Sequence, residues 1–334
     1  MARRTAQSVV ALGGGHGLAA SLAALRRLLD DLTIDDLTAV VTVADNGGSS
    51  GRLRGEFGVL PPGDLRMALA ALCGEDEWGR TWADVVQHRF AGDGEMRGHV
   101  LGNLLLVSLW EQMGGDHVRA LEWMGRLLGA HGRVLPMATT PMDITARVRG
   151  VDPDAPDRIS VLRGQVEVAS TRGAIEAVSL HPEDPEACVE AVEAIRAADW
   201  VVLGPGSWFT SVIPHLMVPG LRRALTETIG RLVVVLNLEA QPGETSGFRP
   251  EDHLAVLLAH APDLPVHAVV VDASSLGADR GPLDRAVAAL GARLVVDDVA
   301  VPGQPRHDAS RLAEAFRSIV EGATDAPADA VEGR

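Results

Sequence analysis

The chain has 334 residues, 30 basic against 45 acidic for a formal charge of −15, and nearly half are apolar, which excludes wholesale disorder and allows one large domain or two ordinary ones. It contains neither lysine nor tyrosine, so a Walker A phosphate loop, a Schiff-base enzyme and a Tyr/Lys-dependent reductase are excluded in their usual forms, and two cysteines, Cys73 and Cys188, cannot build a disulfide framework or a Cys-rich zinc site. The acidic balance opposes non-specific nucleic-acid binding, and no window approaches the roughly 18 uninterrupted apolar residues that a membrane span needs.

The N-terminus begins like a secretion signal, but its apolar run turns straight into glycines with no cleavage site, which points to a cytoplasmic protein. The first run, Ser8–Leu12, reads as a strand and breaks at Gly13-Gly14-Gly15-His16-Gly17. Leu18, Leu22, Leu25 and Leu29 then share one face of a helix over Leu18–Leu29. A second buried-type strand, Leu37–Val43, ends in Asp45-Asn46-Gly47-Gly48-Ser49-Ser50-Gly51. Asp64 is placed to cap a helix over Leu65–Leu72, and further helices are expected at His99–Trp110 and Asp116–Leu128 before a strand at Arg133–Ala138.

From about residue 143 to 180 the texture changes to short alternating runs such as Ile144–Val148 and Gln165–Ala169, which suggest a small β-hairpin excursion. The α/β rhythm returns with a helix at Pro185–Ala197, a strand at Trp200–Leu203 and the turn Gly204-Pro205-Gly206-Ser207. Strands at Leu232–Leu238 and Val266–Val271 alternate with helices near Leu221–Thr228 and Glu251–His260. A last helix, about Asp308–Val320, precedes an acidic tail from Glu321 that composition marks as disordered. The expected fold is α/β, a Rossmann-like three-layer α/β/α sandwich with a mostly parallel sheet, in one domain over residues 1–320.

Three glycine-rich loops follow predicted strands, where ligands of open parallel sheets bind. Gly13, Gly14, Gly15 and Gly17 lack the G-x-G-x-x-G spacing of dinucleotide folds, yet they bring unobstructed amides to the start of a helix, suited to a phosphate. In the second loop Asp45 and Asn46 suit a ribose, a base or a metal, and Gly47, Gly48 and Ser49 an anion nest. The third loop, with Gly204, Gly206, Ser207 and nearby Thr210, suits a second phosphate or a sugar, or is a plain rigid turn. Asn103, inside an otherwise apolar helix, needs a hydrogen-bond partner, either backbone or a ligand. Arg306, before the last helix, suits a pyrophosphate or carboxylate clamp. No metal spacing occurs among the histidines, G-x-S-x-G is missing, and no catalytic nucleophile is evident.

The blocks VVALGGGHGL, AVVTVADNGGSSGRLR, LPPGDLRMALAAL, GHVLGNLLL, GRVLPM, VVLGPGSWFTSVIPHLMVPG and QPGETSGF, ending in RHD, together resemble the YvcK/CofD-like family, in its YvcK branch. The resemblance implies a nucleotide cleft at the strand ends of a Rossmann-like fold. It also implies binding of UDP-activated sugars, notably UDP-N-acetylglucosamine, with no further cofactor, and a regulatory role in carbon and cell-wall precursor metabolism and cell shape. A regulatory protein partner would receive the signal, and self-association is admitted. By position, the resemblance gives the loop glycines to phosphate, Asp45 and Asn103 to ribose or base, Ser207 and Thr210 to phosphate or sugar hydroxyls, and Arg306 to the diphosphate. The CofD branch instead transfers a phospholactyl group to a deazaflavin from a guanosine-nucleotide-activated donor. Departures from the family pattern are His16, where a small hydroxyl residue is usual, Asn46 in place of a second aspartate, Thr139–Thr145, which does not match the usual block after the GRVLP strand, and a stretch from Asp272 to Arg285 without the usual Asn and aromatic residue.

Overall fold

The computed structural model describes residues 7–277 and 279–324. Among the described residues ten strands form two sheets: β1 (Ser8–Gly13), β2 (Asp36–Val41), β3 (Arg133–Pro136), β4 (Asp143–Arg149), β5 (Ile159–Arg163), β6 (Ala174–His181), β7 (Trp200–Leu203), β8 (Arg231–Val235), β9 (Val266–Asp272) and β10 (Arg293–Asp297). Seven build the main sheet in the order β10-β9-β8-β7-β1-β2-β3, every neighbouring pair parallel. The inner strands are buried along almost their whole length, as a sheet covered by helices on both faces requires, and this is why they read as unbroken apolar runs.

The chain builds β1, β2 and β3 in one direction, then returns to lay β7 on the other side of β1 and continues outward to β10. The order therefore reverses between β1 and β7, and the crevice at their carboxyl ends is where such a sheet accommodates a ligand. The last helix, Ala309–Thr324, packs on the first, Gly15–Asp30, with Leu312, Ala315 and Phe316 buried.

The excursion is larger than a hairpin: β5-β4-β6 form an antiparallel sheet, and Gln165–Ala169, expected to alternate as a strand, is a short helix. The loop of the second glycine cluster is also shorter than expected, because Gly48–Phe57 is helical. A Cβ at Gly51 would lie 2.0 Å from the Asn46 carbonyl oxygen, so glycine there serves a close backbone approach rather than an open turn. The helix Gly281–Ala289 and the edge strand β10 were not anticipated. The last helix runs to Thr324, so Glu321 is helical where the tail was expected to begin; the remainder of that tail lies outside the described residues. Among the described residues no helix is long and apolar enough to cross a membrane.

Candidate functional site

β1 ends at Gly13, whose carbonyl is held by the backbone and hydroxyl of Thr42, and Gly14 stands as an extended N-cap without a side-chain acceptor. The amides of His16 and Gly17 therefore begin the helix without intrahelical partners. The loop after β7 lies directly against this turn. A Cβ at Gly17 would sit 2.3 Å from the Pro205 carbonyl oxygen and 2.6 Å from Gly206 Cα, and one at Gly14 would sit 2.6 Å from Asp64 Oδ2 and 3.2 Å from Ser211 Oγ. Glycine at both positions is what lets the two loops meet.

Asn237, just beyond β8, clasps the third loop by accepting from the Gly206 amide at 3.0 Å and donating to the Gly206 carbonyl at 2.9 Å. A five-residue π-helix, Trp208–Val212, follows. It turns Ser211 toward the crevice and Thr210 away from it, onto buried Glu244, whose other carboxylate oxygen accepts from the Phe209 amide at 2.9 Å. With both oxygens engaged, Glu244 holds the π-turn in place; burial raises its pKa.

These segments enclose a cavity of about 370 Å³, within the usual range for small-molecule sites. Gly14, Gly15, His16, Gly17, Gly206, Ser207 and Arg306 line it, together with Asp64, Asn237, Gln241 and His307. Arg306 is exposed at the mouth and has no ion-pair partner among the described residues. A second cavity of about 470 Å³ adjoins the first through Leu238, Glu239 and Pro305, beyond the ends of β8, β9 and β10. There Asp272 organises the next turn, accepting from the amides of Val299 and Ala300 at 2.8 Å each.

Asp64 is not the cap that its position suggested. Pro61 occupies the cap of the helix Pro62–Ala71, and the Asp64 carboxylate leaves the first turn toward the Gly14–Gly15 backbone. Burial, with the negative charge of Asp45 added, pushes its pKa up to about 7, against the opposing effects of a hydrogen bond from Gly15 and the charge of Arg66.

The second loop lies apart from the first cavity. Asp45 accepts from the Gly47 amide at 2.8 Å. Gly47 caps, and Gly48 begins, the helix Gly48–Phe57. Asn46 reaches across to the small sheet, donating to Glu167 at 2.9 Å and accepting from the Val166 amide at 3.0 Å. Buried Ser49 accepts from the Val100 amide and from Asn103, and Asn103 in turn accepts from Arg66 Nε at 2.9 Å. Asn103 thus finds its partners in protein side chains. Gly13 and Gly204 stand behind the cavity as strand ends, the latter accepting from Ser21. Among the described residues no group of three or more His, Cys, Asp or Glu side chains is placed to hold a metal.

Sequence reasoning assigned no role to His16, Gln165, Asn237, Gln241 or His307 in this wall. The available signal was the polar run that follows an apolar strand at Asn237 and again at Gln241-Pro242-Gly243.

Residues 9–301 match the model of a family described as 2-phospho-L-lactate transferase CofD. A Mycobacterium leprae (strain TN) protein named "Putative gluconeogenesis factor" is 52% identical over 326 residues, covering 97% of this chain and 89% of its own. A Halalkalibacterium halodurans protein named "Gluconeogenesis factor" is 37% identical over 254 residues, 76% of this chain and 74% of its own. The crystal structure of a UPF0052 family member from Bacillus halodurans superposes with a TM-score of 0.81 at 32% identity, covering 94% of this chain and 99% of that one.

Proposed function

The chain belongs to the CofD/YvcK family, and from that premise we propose that it is a cytoplasmic regulatory protein that binds UDP-activated sugars, UDP-N-acetylglucosamine foremost, in the crevice between β1 and β7. One observation carries the reading: uncapped helix-start amides, the clasped Gly206 turn and the unpaired guanidinium of Arg306 converge on one cavity at the reversal of strand order. A diphosphate is the group that such a donor set fits, and the cavity adjoining through Leu238, Glu239 and Pro305 gives room for a nucleoside or sugar on that side. The bound state is read by a protein partner and tunes carbon and cell-wall precursor metabolism, and through it cell shape; no chemical step is assigned to the protein.

The test is a thermal-shift screen followed by calorimetry with UDP-N-acetylglucosamine, UDP-glucose, GDP, GTP and NADH. A ligand at a hundred times its Kd stabilises the fold by about 2.7 kcal/mol. The expected result is a response selective for UDP-sugars, weakened at least tenfold in Arg306→Ala by loss of a charge-assisted contact of about 1.5–3 kcal/mol. No heat with any UDP-sugar at millimolar concentration overturns it. The paired carboxylates Asp45 and Asp64 favour a second reading, a transferase of CofD type, which a selective response to guanosine nucleotides and product formation from an activated phospholactate donor would promote.

A further inference from the structure

The small sheet ends in an open edge. β5 pairs with β4 alone, at the margin of the order β5-β4-β6. Just outside β5, the Gly164 amide donates to the Ile144 carbonyl at 2.8 Å, and the Gly150 amide donates to the Arg158 carbonyl at 3.1 Å. Hydrogen-bonded pairs alternate along an antiparallel ladder, so Ser160 and Leu162 also turn their backbone groups toward β4, while Ile159, Val161 and Arg163 turn theirs outward. Those outward amides and carbonyls meet no partner among the described residues.

The side chains of this edge are equally unguarded. Ile159 is 39% exposed and Val161 70%. Edge strands are ordinarily blunted by a proline, a bulge or a free charge. β5 contains no proline, its register with β4 is unbroken, and its one charge, Arg163, is bound to Asp143 at 2.7 Å. Arg147 and Arg149, which stand opposite Val161 and Ile159 on β4, are drawn the other way, to Glu176 of β6. In a chain of charge −15, whose acidic groups oppose self-association, this face has its charges balanced.

The segment Ile159-Ser160-Val161-Leu162-Arg163 is also compatible with itself. Laid antiparallel about Val161, it sets that residue opposite the partner's Val161 and sets Ile159 opposite the partner's Arg163. The outward backbone groups then exchange hydrogen bonds, and no two like charges are opposed. We propose that the edge of β5 pairs with the same edge of a second copy of this chain, about a twofold axis through Val161, and joins the two small sheets into one. Through Gly164 the strand runs directly into Gln165, which lines the first cavity, so a wall of each copy's cavity is continuous with the shared sheet. The pairing does not depend on what that cavity binds. A single strand pair lies at the small end of interface sizes, so the association is concentration-dependent.

Sedimentation velocity over a hundredfold concentration range, on the wild type, Val161→Pro and Val161→Lys, tests this. Proline removes only an outward amide and leaves the ladder to β4 whole, and lysine opposes two charges on the axis. The wild type is expected to pass from monomer toward dimer, and both variants to need at least tenfold more protein for the same shift, with melting curves verifying their fold. In Val161→Cys the paired Cα atoms stand about 5.5 Å apart, within disulfide reach, and both native cysteines are buried. Mild oxidation is therefore expected to yield a covalent dimer at least tenfold faster than in Ile229→Cys, a more exposed site outside the small sheet. Equal crosslinking rates, or a dimer undiminished in a folded Val161→Lys or Val161→Pro, overturn the pairing. A wild type that stays monomeric at every concentration also overturns it and leaves the edge to a strand of a different protein.

Discussion

Asp64 carries a consequence that reaches both stability and binding. Its pKa stands at about 7 in the fold against an ordinary 3.8. Below pH 4 folded and unfolded chains both hold the proton; between pH 4 and 7 only the folded chain keeps it, so this residue's contribution to stability falls as pH rises through that window and is gone above it. Asp64→Asn, which retains an oxygen for the Gly15 amide, is therefore expected to melt higher than the wild type at pH 8 and no higher at pH 4. The same ionisation adds a negative charge beside the helix-start amides of the Gly14–Gly17 turn. Wild-type affinity for an anionic ligand should decline above pH 7 while that of Asp64→Asn stays level, and calorimetry at pH 6 and 8 decides it. The sequence left this residue looking like a cap, because a carboxylate two positions after a proline fits the first turn of a helix equally well whether it bonds its own amides or faces a neighbouring loop.

Among the elements, the two glycine loops depend on each other, and individual glycines depend on them for different reasons. Gly15 has φ +57° but open space where a side chain would go, so Gly15→Ala costs about 1 kcal/mol of backbone strain and leaves the fold intact. Gly17 has no such conformational demand; its substitution by Ala drives a methyl into the Pro205–Gly206 backbone. Gly17→Ala is expected to lose about 1–3 kcal/mol in urea unfolding and to part the loops, abolishing binding that Gly15→Ala only weakens. The buried strands and the three glycine turns were legible because apolar runs and glycine clusters are local signals. The helix Gly48–Phe57 was not, since its opening Gly-Ser-Ser-Gly has poor intrinsic helix propensity and Ser49 is held by Asn103, itself held by Arg66, partners distant in sequence. The strand β10 was missed for a related reason: only one of its five residues is fully buried, and an edge position leaves little pattern to read.

At the scale of the molecule, the first and last helices are packed on one another, and that contact sets Arg306 and His307 over the cavity, because both precede the last helix by a few residues. Asp308 fixes the junction by accepting from the amides of Ser310 and Arg311 at 2.9 and 3.1 Å. Phe316 is 2% exposed in this contact. Phe316→Ala should cost about 3–5 kcal/mol in chemical denaturation, with ligand affinity falling as the wall it supports loosens. Two stretches of the cavity lining are thus contributed by opposite ends of the chain, residues 14–17 and residues 305–307. During synthesis the ribosome makes the glycine turn first and the partner wall nearly 300 residues later, after Ser8 has already waited for Asp199, 191 positions on, to complete the centre of the sheet. A nascent or prematurely terminated chain accordingly has the glycine turn but no cleft, and under the proposed reading only the finished molecule gains stability from a ligand.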